Sequence, residues 1–211
     1  LESKEICFEV ARTIREHIPS GVDYYFKTSF AKENRSSSTS FMGHGIDYAK
    51  DVFTYLRADG FKIITDVHET WQVEDIAPYV DALQIPAFLC RQTPLLRAAA
   101  ESGLLVNVKK GQFLAPNDTK NIAEKLKDFG CSDFYLCERG TSFGYSQFIV
   151  DFSSVDFFKD HFDKVVMDCT HAAQLPKPNG MEYEDWLATQ PLPPSPTNQR
   201  TKKWYFIHSI K

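Results

Sequence analysis

No apolar run in this chain approaches the roughly 18 residues that a membrane-crossing helix needs, and the amino terminus carries no basic stretch followed by an apolar one. Both absences predict a protein that neither spans a membrane nor is secreted. There is no C-x-x-C pair, and the cysteines number five, at positions 7, 90, 131, 137 and 169. An odd count without paired spacing speaks against a disulfide framework and for reduced thiols, with the cytoplasm as the expected compartment. Basic residues are outnumbered, 24 against 28 acidic, which leaves a net charge of -4 and a pI near 5.9. General nucleic-acid binders carry a basic face that displaces counterions, so nucleic acid is excluded as the expected partner. Any chemistry on phosphate must rest on local clusters of cations.

What is present is a large apolar fraction, 43% of 211 residues, with aromatics at 14%, enough for one sizeable core. Six apolar, β-branched or aromatic runs each end in polar residues: YYFKTS, KIITDVH, ALQIP, LLVNVKK, FYLCERG and VVMDCTH. Helix-like segments lie between them. Ser3 can cap a helix whose apolar stripe is Cys7, Val10, Ala11, Ile14 and Ile18, stopped by Pro19 and Gly21. A second stripe, Ile46, Ala49, Phe53 and Leu56, follows Gly45, and Thr70 can cap a shorter helix from Trp71. Thr93-Pro94 starts another helix that Gly103 ends, and Ile122, Leu126 and Phe129 repeat the pattern before Gly130. Six strands alternating with six helices predict a parallel α/β sheet or barrel. In such folds the carboxyl ends of the strands open on one face, where residues from distant segments converge. After Pro176 the character changes: prolines at 178, 191, 193, 194 and 196 predict a tail over 177–211, within which Trp204–Ile210 would suit a strand.

The densest polar cluster is FKTSFAKENRSS, where Lys27, Ser29, Lys32, Asn34, Arg35 and Ser36 follow a strand. Cations, an amide and hydroxyls in one loop suit phosphate or carboxylate recognition, although a solvated turn uses the same residue types. Repetition favours recognition. Arg91 follows the third run, Lys109 and Lys110 end the fourth, and Glu138 and Arg139 the fifth, so several cations are expected on one rim. His68 and His171 close apolar runs and could line a site, yet an isolated histidine is more often structural. Asp66 and Asp168 could orient neighbours or simply pair with the rim cations. Cys90, Cys137 and Cys169 read as core, and Gly140 and Gly144 as turn residues.

Taken together and in order, FKTSFAKENRSS, TDVHE, QIPAFLCRQT, VNVKKGQFLAP, CERGTSFGY and DCTHAAQLP resemble 3-deoxy-D-manno-octulosonate 8-phosphate synthase, a phosphoenolpyruvate-dependent aldol synthase family, over residues 3–176. The resemblance implies a (β/α)8 TIM barrel that condenses phosphoenolpyruvate with arabinose 5-phosphate and water, giving the eight-carbon phosphosugar and phosphate. It implies that Lys27, Ser29, Lys32, Gln84, Lys109 and Arg139 hold phosphoenolpyruvate. Asn34, Arg35, Ser36 and Asp66 would hold the pentose phosphate, with Arg91 reaching the sugar phosphate in a neighbouring subunit of a tetramer. Lys32, Asp66 and His171 are the expected catalytic residues. Fixed cations and amides can stabilise such a reaction without a covalent nucleophile, so the lack of a Ser-His-Asp set is no objection.

Two departures accompany the match. The family's opening strand, whose Cys or Asn separates metal-dependent from metal-independent branches, has no counterpart in Leu1-Glu2-Ser3. His171 would be a divalent-metal ligand only in the first branch. The last two β/α units are not recognisable after Pro176, so the expectation is a partial barrel domain over 1–176 with six of eight strands. The alternatives are a non-catalytic homologue that binds phosphosugar or a sister subunit, and the related synthase that uses erythrose 4-phosphate.

Overall fold

The computed structural model describes residues 1, 3–34, 39–144, 147–172 and 205–206. In chain order its elements are α1 (Lys4–His17), β1 (Tyr25–Lys27), α2 (Ile46–Ala58), β2 (Lys62–Asp66), α3 (Thr70–Ile76), β3 (Ala82–Ile85), α4 (Thr93–Glu101), β4 (Leu105–Lys109), α5 (Thr119–Asp128), β5 (Phe134–Glu138), β6 (Thr141–Phe143), β7 (Gln147–Ile149), α6 (Phe152–His161), β8 (Val165–Met167), α7 (Cys169–Ala172) and β9 (Tyr205–Phe206). One sheet runs β1-β2-β3-β4-β5-β8-β9, every neighbouring pair parallel. Its first six strands are the six runs read from the sequence. Between β5 and α6, the β6–β7 pair forms a small antiparallel hairpin. The tail strand expected within Trp204–Ile210 is present as Tyr205–Phe206, in register with Val166 and Met167. The rest of the expected tail lies outside the described residues.

Side chains of a strand alternate between its two faces, and the register shows what each face does. Phe26, Ile63, Leu83, Ile85, Val106, Val108 and Leu136 point one way, into the main core with Phe53, Leu56, Leu96, Leu126 and Phe158 of the helices. Each fully buried Leu, Ile or Phe contributes roughly 1.5–3 kcal/mol there. On the opposite face Ile64, Ala82 and Leu105 form a separate small cluster with Tyr25 and Tyr135. Two residues further along the same strands, that face turns polar, with Lys27, Asp66, Gln84 and Asn107. The apolar layer is the floor on which a polar site stands.

Local signals explain the helix limits. Ser3 Oγ accepts from Ile6 N at 3.3 Å and caps α1, and Gly103 and Gly130 follow α4 and α5 with φ of +73° and +84°. One start falls one residue from expectation. Glu69, not Thr70, precedes α3, because Gln72 Oε1 accepts from Glu69 N at 3.3 Å and from His68 N at 2.8 Å and closes the first turn. The start expected at Thr93-Pro94 is met, α4 beginning at Thr93 with Gln92 before it and Pro94 in its first turn. The described residues contain seven helices, not six, the additional one being the four-residue α7.

Candidate active site

The polar ends of β1, β2, β3 and β4, with Arg139 just after β5 and His171 of α7, line one cavity of about 610 Å³, and α1 contributes Ile6, Cys7, Val10 and Ile14 to its apolar wall. Lys27, Ser29, Lys32, Asn34, Asp66, Gln84, Lys109, Arg139 and His171 all face it. Nine of the residues expected from sequence are thereby gathered from segments up to 144 positions apart. Arg91 is exposed and does not line the cavity, and Arg35 and Ser36 lie outside the described residues. His68 is a further lining residue, stacked edge-on against Phe30.

Asp66 is the hub. Its Oδ2 accepts from Lys27 Nζ at 2.5 Å and from Ser29 Oγ, and its Oδ1 accepts from Gln84 Nε2. Ser29 Oγ also receives Lys27 Nζ at 2.9 Å and Lys32 Nζ at 3.0 Å, which draws both lysines to one point. Gln84 Oε1 in turn accepts from Asn107 Nδ2 at 3.0 Å, so the amide of Gln84 has a fixed orientation. Burial alone would push the Asp66 carboxyl up; the Lys27 and Lys109 charges and the bonds from Lys27 and Ser29 outweigh it and hold the group far below the usual carboxylate range. It is an anion at any physiological pH.

A second hub stands across the cavity. Lys109 Nζ lies 2.7 Å from Asp168 Oδ2, and the same oxygen lies 2.8 Å from His171 Nδ1, while His171 N donates to Asp168 Oδ1 at 3.1 Å. Burial again favours the neutral acid, but the bond from His171 and the Lys109 charge keep Asp168 ionised well below its ordinary range. Burial also works against charge on Lys109, yet Asp168 and Asp66 help raise its pKa above that of a free lysine. A carboxylate can only accept, so the ring nitrogen that His171 turns to Asp168, Nδ1, carries a proton. Asp168 therefore fills both roles that its sequence allowed, pairing a rim cation and orienting a neighbour. Arg139 completes the ring, its Nη1 donating to Gln112 Oε1 at 2.9 Å.

Three sequence expectations need correction. Lys110 is not on the rim: alternation sends it to the helix face, where it is 1% exposed and lies 3.5 Å from Glu138 Oε1. Glu138 points the same way for the same reason, so neither residue enters the cavity. Cys90 and Cys137 are core thiols as expected, but Cys169 is exposed, because it begins α7 beyond the strand. The supporting roles of Asn107 and Gln112 went unread. Asn107 was the more accessible of the two, since a polar residue two positions before Lys109 in an apolar strand must share its face.

A metal centre around His171 needs further donors. Among the described residues no group of three or more His, Cys, Asp or Glu side chains could hold a metal ion, so these residues alone do not complete one.

A family model described as the DAHP synthetase I family matches residues 1–189. The chain belongs to this family. Similar proteins include the 2-dehydro-3-deoxyphosphooctonate aldolases of Fusobacterium nucleatum, 46% identical over 183 residues, and Bordetella petrii, 44% identical over 188. These alignments cover 86% and 85% of this chain but 65% and 66% of the relatives. A third, from Albidiferax ferrireducens, is 43% identical over 188 residues, covering 85% of this chain and 66% of its own. The chain thus spans just under two thirds of the length of these relatives. In this member of the DAHP synthetase I family the cavity at the strand ends is the candidate active site, with Lys27, Ser29 and Gln84 held by Asp66 and Lys109 and His171 held by Asp168.

Proposed function

We propose that this member of the DAHP synthetase I family condenses phosphoenolpyruvate with arabinose 5-phosphate and water to form 3-deoxy-D-manno-octulosonate 8-phosphate and phosphate. The carrying observation is the convergence of Lys27, Ser29, Lys32, Gln84, Lys109 and Arg139 on one cavity, four cations among them. Phosphoenolpyruvate bears a phosphate and a carboxylate, and a ring of fixed cations in a low-dielectric pocket suits both. The volume of about 610 Å³ also leaves room for a sugar phosphate beside it. The family resemblance assigns Asn34, Arg35, Ser36 and Asp66 to the pentose phosphate, and Arg91 to the sugar phosphate of a neighbouring subunit in a homotetramer. The names of the relatives and the order of the motifs support this assignment, and the parallel sheet supports a (β/α)8 barrel as the parent fold of a cytoplasmic enzyme.

In the proposed reaction C3 of the enol attacks the sugar aldehyde, the carbonyl oxygen becomes a hydroxyl, water adds at C2, and the C2–O bond breaks to release phosphate. Positive charge develops at C2 while several anionic oxygens are held close by. Asp66 serves the step by keeping Lys27, Ser29 and Gln84 in place before substrate arrives, and its negative charge faces the developing cation. His171, oriented through Nδ1 by Asp168, takes a proton from the attacking water on Nε2. Lys32 lies beside the two substrates and donates to an oxygen that gains charge.

Phosphate release tests this reading. The purified chain, given phosphoenolpyruvate and either arabinose 5-phosphate or erythrose 4-phosphate, with and without a divalent metal, should release phosphate with the five-carbon sugar. Release with the four-carbon sugar instead reassigns the substrate, and release with neither overturns the synthase reading.

A further inference from the structure

The Lys110–Glu138 pair stands on the helix face of the sheet, outside the cavity, and no step of the condensation uses its charges. Each residue is 1% exposed. Replacing such a buried pair by apolar residues is often neutral or stabilising, so stability alone gives no account of it. Its hydrogen bonds do. Glu138 Oε1 accepts from Arg139 N at 2.9 Å and from Gly140 N at 2.6 Å, and its Oε2 accepts from Ser154 Oγ of α6 at 2.9 Å. Lys110 Nζ donates to the carbonyls of Gly140 at 3.1 Å and Leu114 at 3.4 Å, and to Thr141 Oγ1 at 3.1 Å.

These contacts clasp two loops together. One is the turn at 140–141, where Gly140 takes φ of +97°; the other is the 111–114 loop, which carries Gln112. Gln112 receives the Arg139 guanidinium on its side chain, and its carbonyl accepts from Ser142 N at 2.9 Å. The backbone of Arg139 is therefore held by Glu138 and its side chain by Gln112, and Lys110 ties both supports to each other. Strand alternation makes this possible: with Lys110 and Glu138 on the far face, Lys109 and Arg139 remain on the cavity side.

We propose that Lys110 and Glu138 are positioning residues that set the affinity for phosphoenolpyruvate by fixing the Arg139 guanidinium at the cavity wall. This rests on the reading of the cavity as a phosphoenolpyruvate site. The pair contributes no atom to the ligand; its effect passes through Arg139.

The test uses the full 211-residue chain, labelled with nitrogen-15, and the variants Glu138→Gln and Lys110→Met. The Arg139 Nε–H resonance, assigned by its loss in Arg139→Lys, should move towards the position of exposed arginines in both variants while core methyl signals stay. Calorimetry should show phosphoenolpyruvate bound about tenfold more weakly, the factor that corresponds to roughly 1.4 kcal/mol. Glu138→Gln should add nothing once Arg139 is alanine, the mark of action through that residue. An unmoved resonance, or additive losses in the double variant, overturns the proposal. If a single variant fails to fold, Lys110→Met with Glu138→Leu removes both charges, and unchanged affinity in that folded protein overturns it equally. Absence of phosphoenolpyruvate binding by the unmodified chain sinks the substrate reading, and the Arg139 resonance then decides the positioning claim.

Discussion

Asp66→Asn is the substitution on which the most physical reasoning converges. It keeps the shape of the side chain and removes its charge, so Lys27 Nζ, 2.5 Å away, loses its counter-ion in a place where the two side chains are only 9% and 11% exposed. At that distance and an effective dielectric of about 20, the Coulomb attraction is roughly 7 kcal/mol. Burial of both charges cancels part of it, and removing one partner of a buried pair costs about 3–5 kcal/mol. Geometry adds to the cost. Asp66 accepts on both oxygens, from Lys27 and Ser29 on one and Gln84 on the other, so an asparagine must turn its NH2 towards a donor whichever way it is placed. Denaturant unfolding at neutral pH should show the loss, with a melting temperature lower by roughly 6–20 °C. The pH dependence should change as well. The folded-state pKa of Asp66 lies below its unfolded value, so its contribution is complete above about pH 5 and is lost as pH falls below the ordinary carboxylate value of about 3.9. Asp168 follows the same sign. The wild-type chain should therefore lose stability steeply on acidification, and the Asn variant less steeply. Stability within about 0.5 kcal/mol of wild type, the range of an ordinary surface substitution, together with an unchanged acid limb, would refute the hub.

Two other outcomes follow from named contacts. Arg139→Ala should weaken phosphoenolpyruvate binding by roughly 1.5–3 kcal/mol, the scale of a hydrogen bond to a charged group, and unchanged calorimetric affinity would remove Arg139 from the site. Ser3→Ala should cost about 1 kcal/mol in denaturant unfolding through loss of the α1 cap, with no change in ligand affinity; an unchanged midpoint would show that Ile6 N finds another acceptor.

The six strand ends were legible because an apolar run that stops at a polar residue is written in consecutive positions. Lys27, Asp66 and Lys109 could be placed at strand ends without knowing which of them touch, and Gln84 through the family resemblance alone. The Asp66 contacts were not legible, since Lys27 and Gln84 stand 39 and 18 residues away, and only the parallel register aligns them. Lys109 and Lys110 show the opposite difficulty. Adjacent in sequence, they read as one cluster, yet period-two alternation separates them into a cavity residue and a core ion pair. The β6–β7 hairpin went unread because Thr141, Ser142 and Phe143 are all exposed and carry no burial alternation. The start of α3 was displaced by one position, because the Gln72 side chain reaches back to the backbone of Glu69 and sets the boundary there, whereas the proline in the first turn of α4 made its start at Thr93 legible.

The claim that the strand-end cavity joins two substrates is tested most directly by following the new carbon–carbon bond. With phosphoenolpyruvate labelled with carbon-13 at C3 and arabinose 5-phosphate present, the vinyl signal should decay as a saturated methylene signal of the eight-carbon product grows. A vinyl signal that persists beside enzyme and sugar, in the presence and absence of divalent metal, would contradict the account.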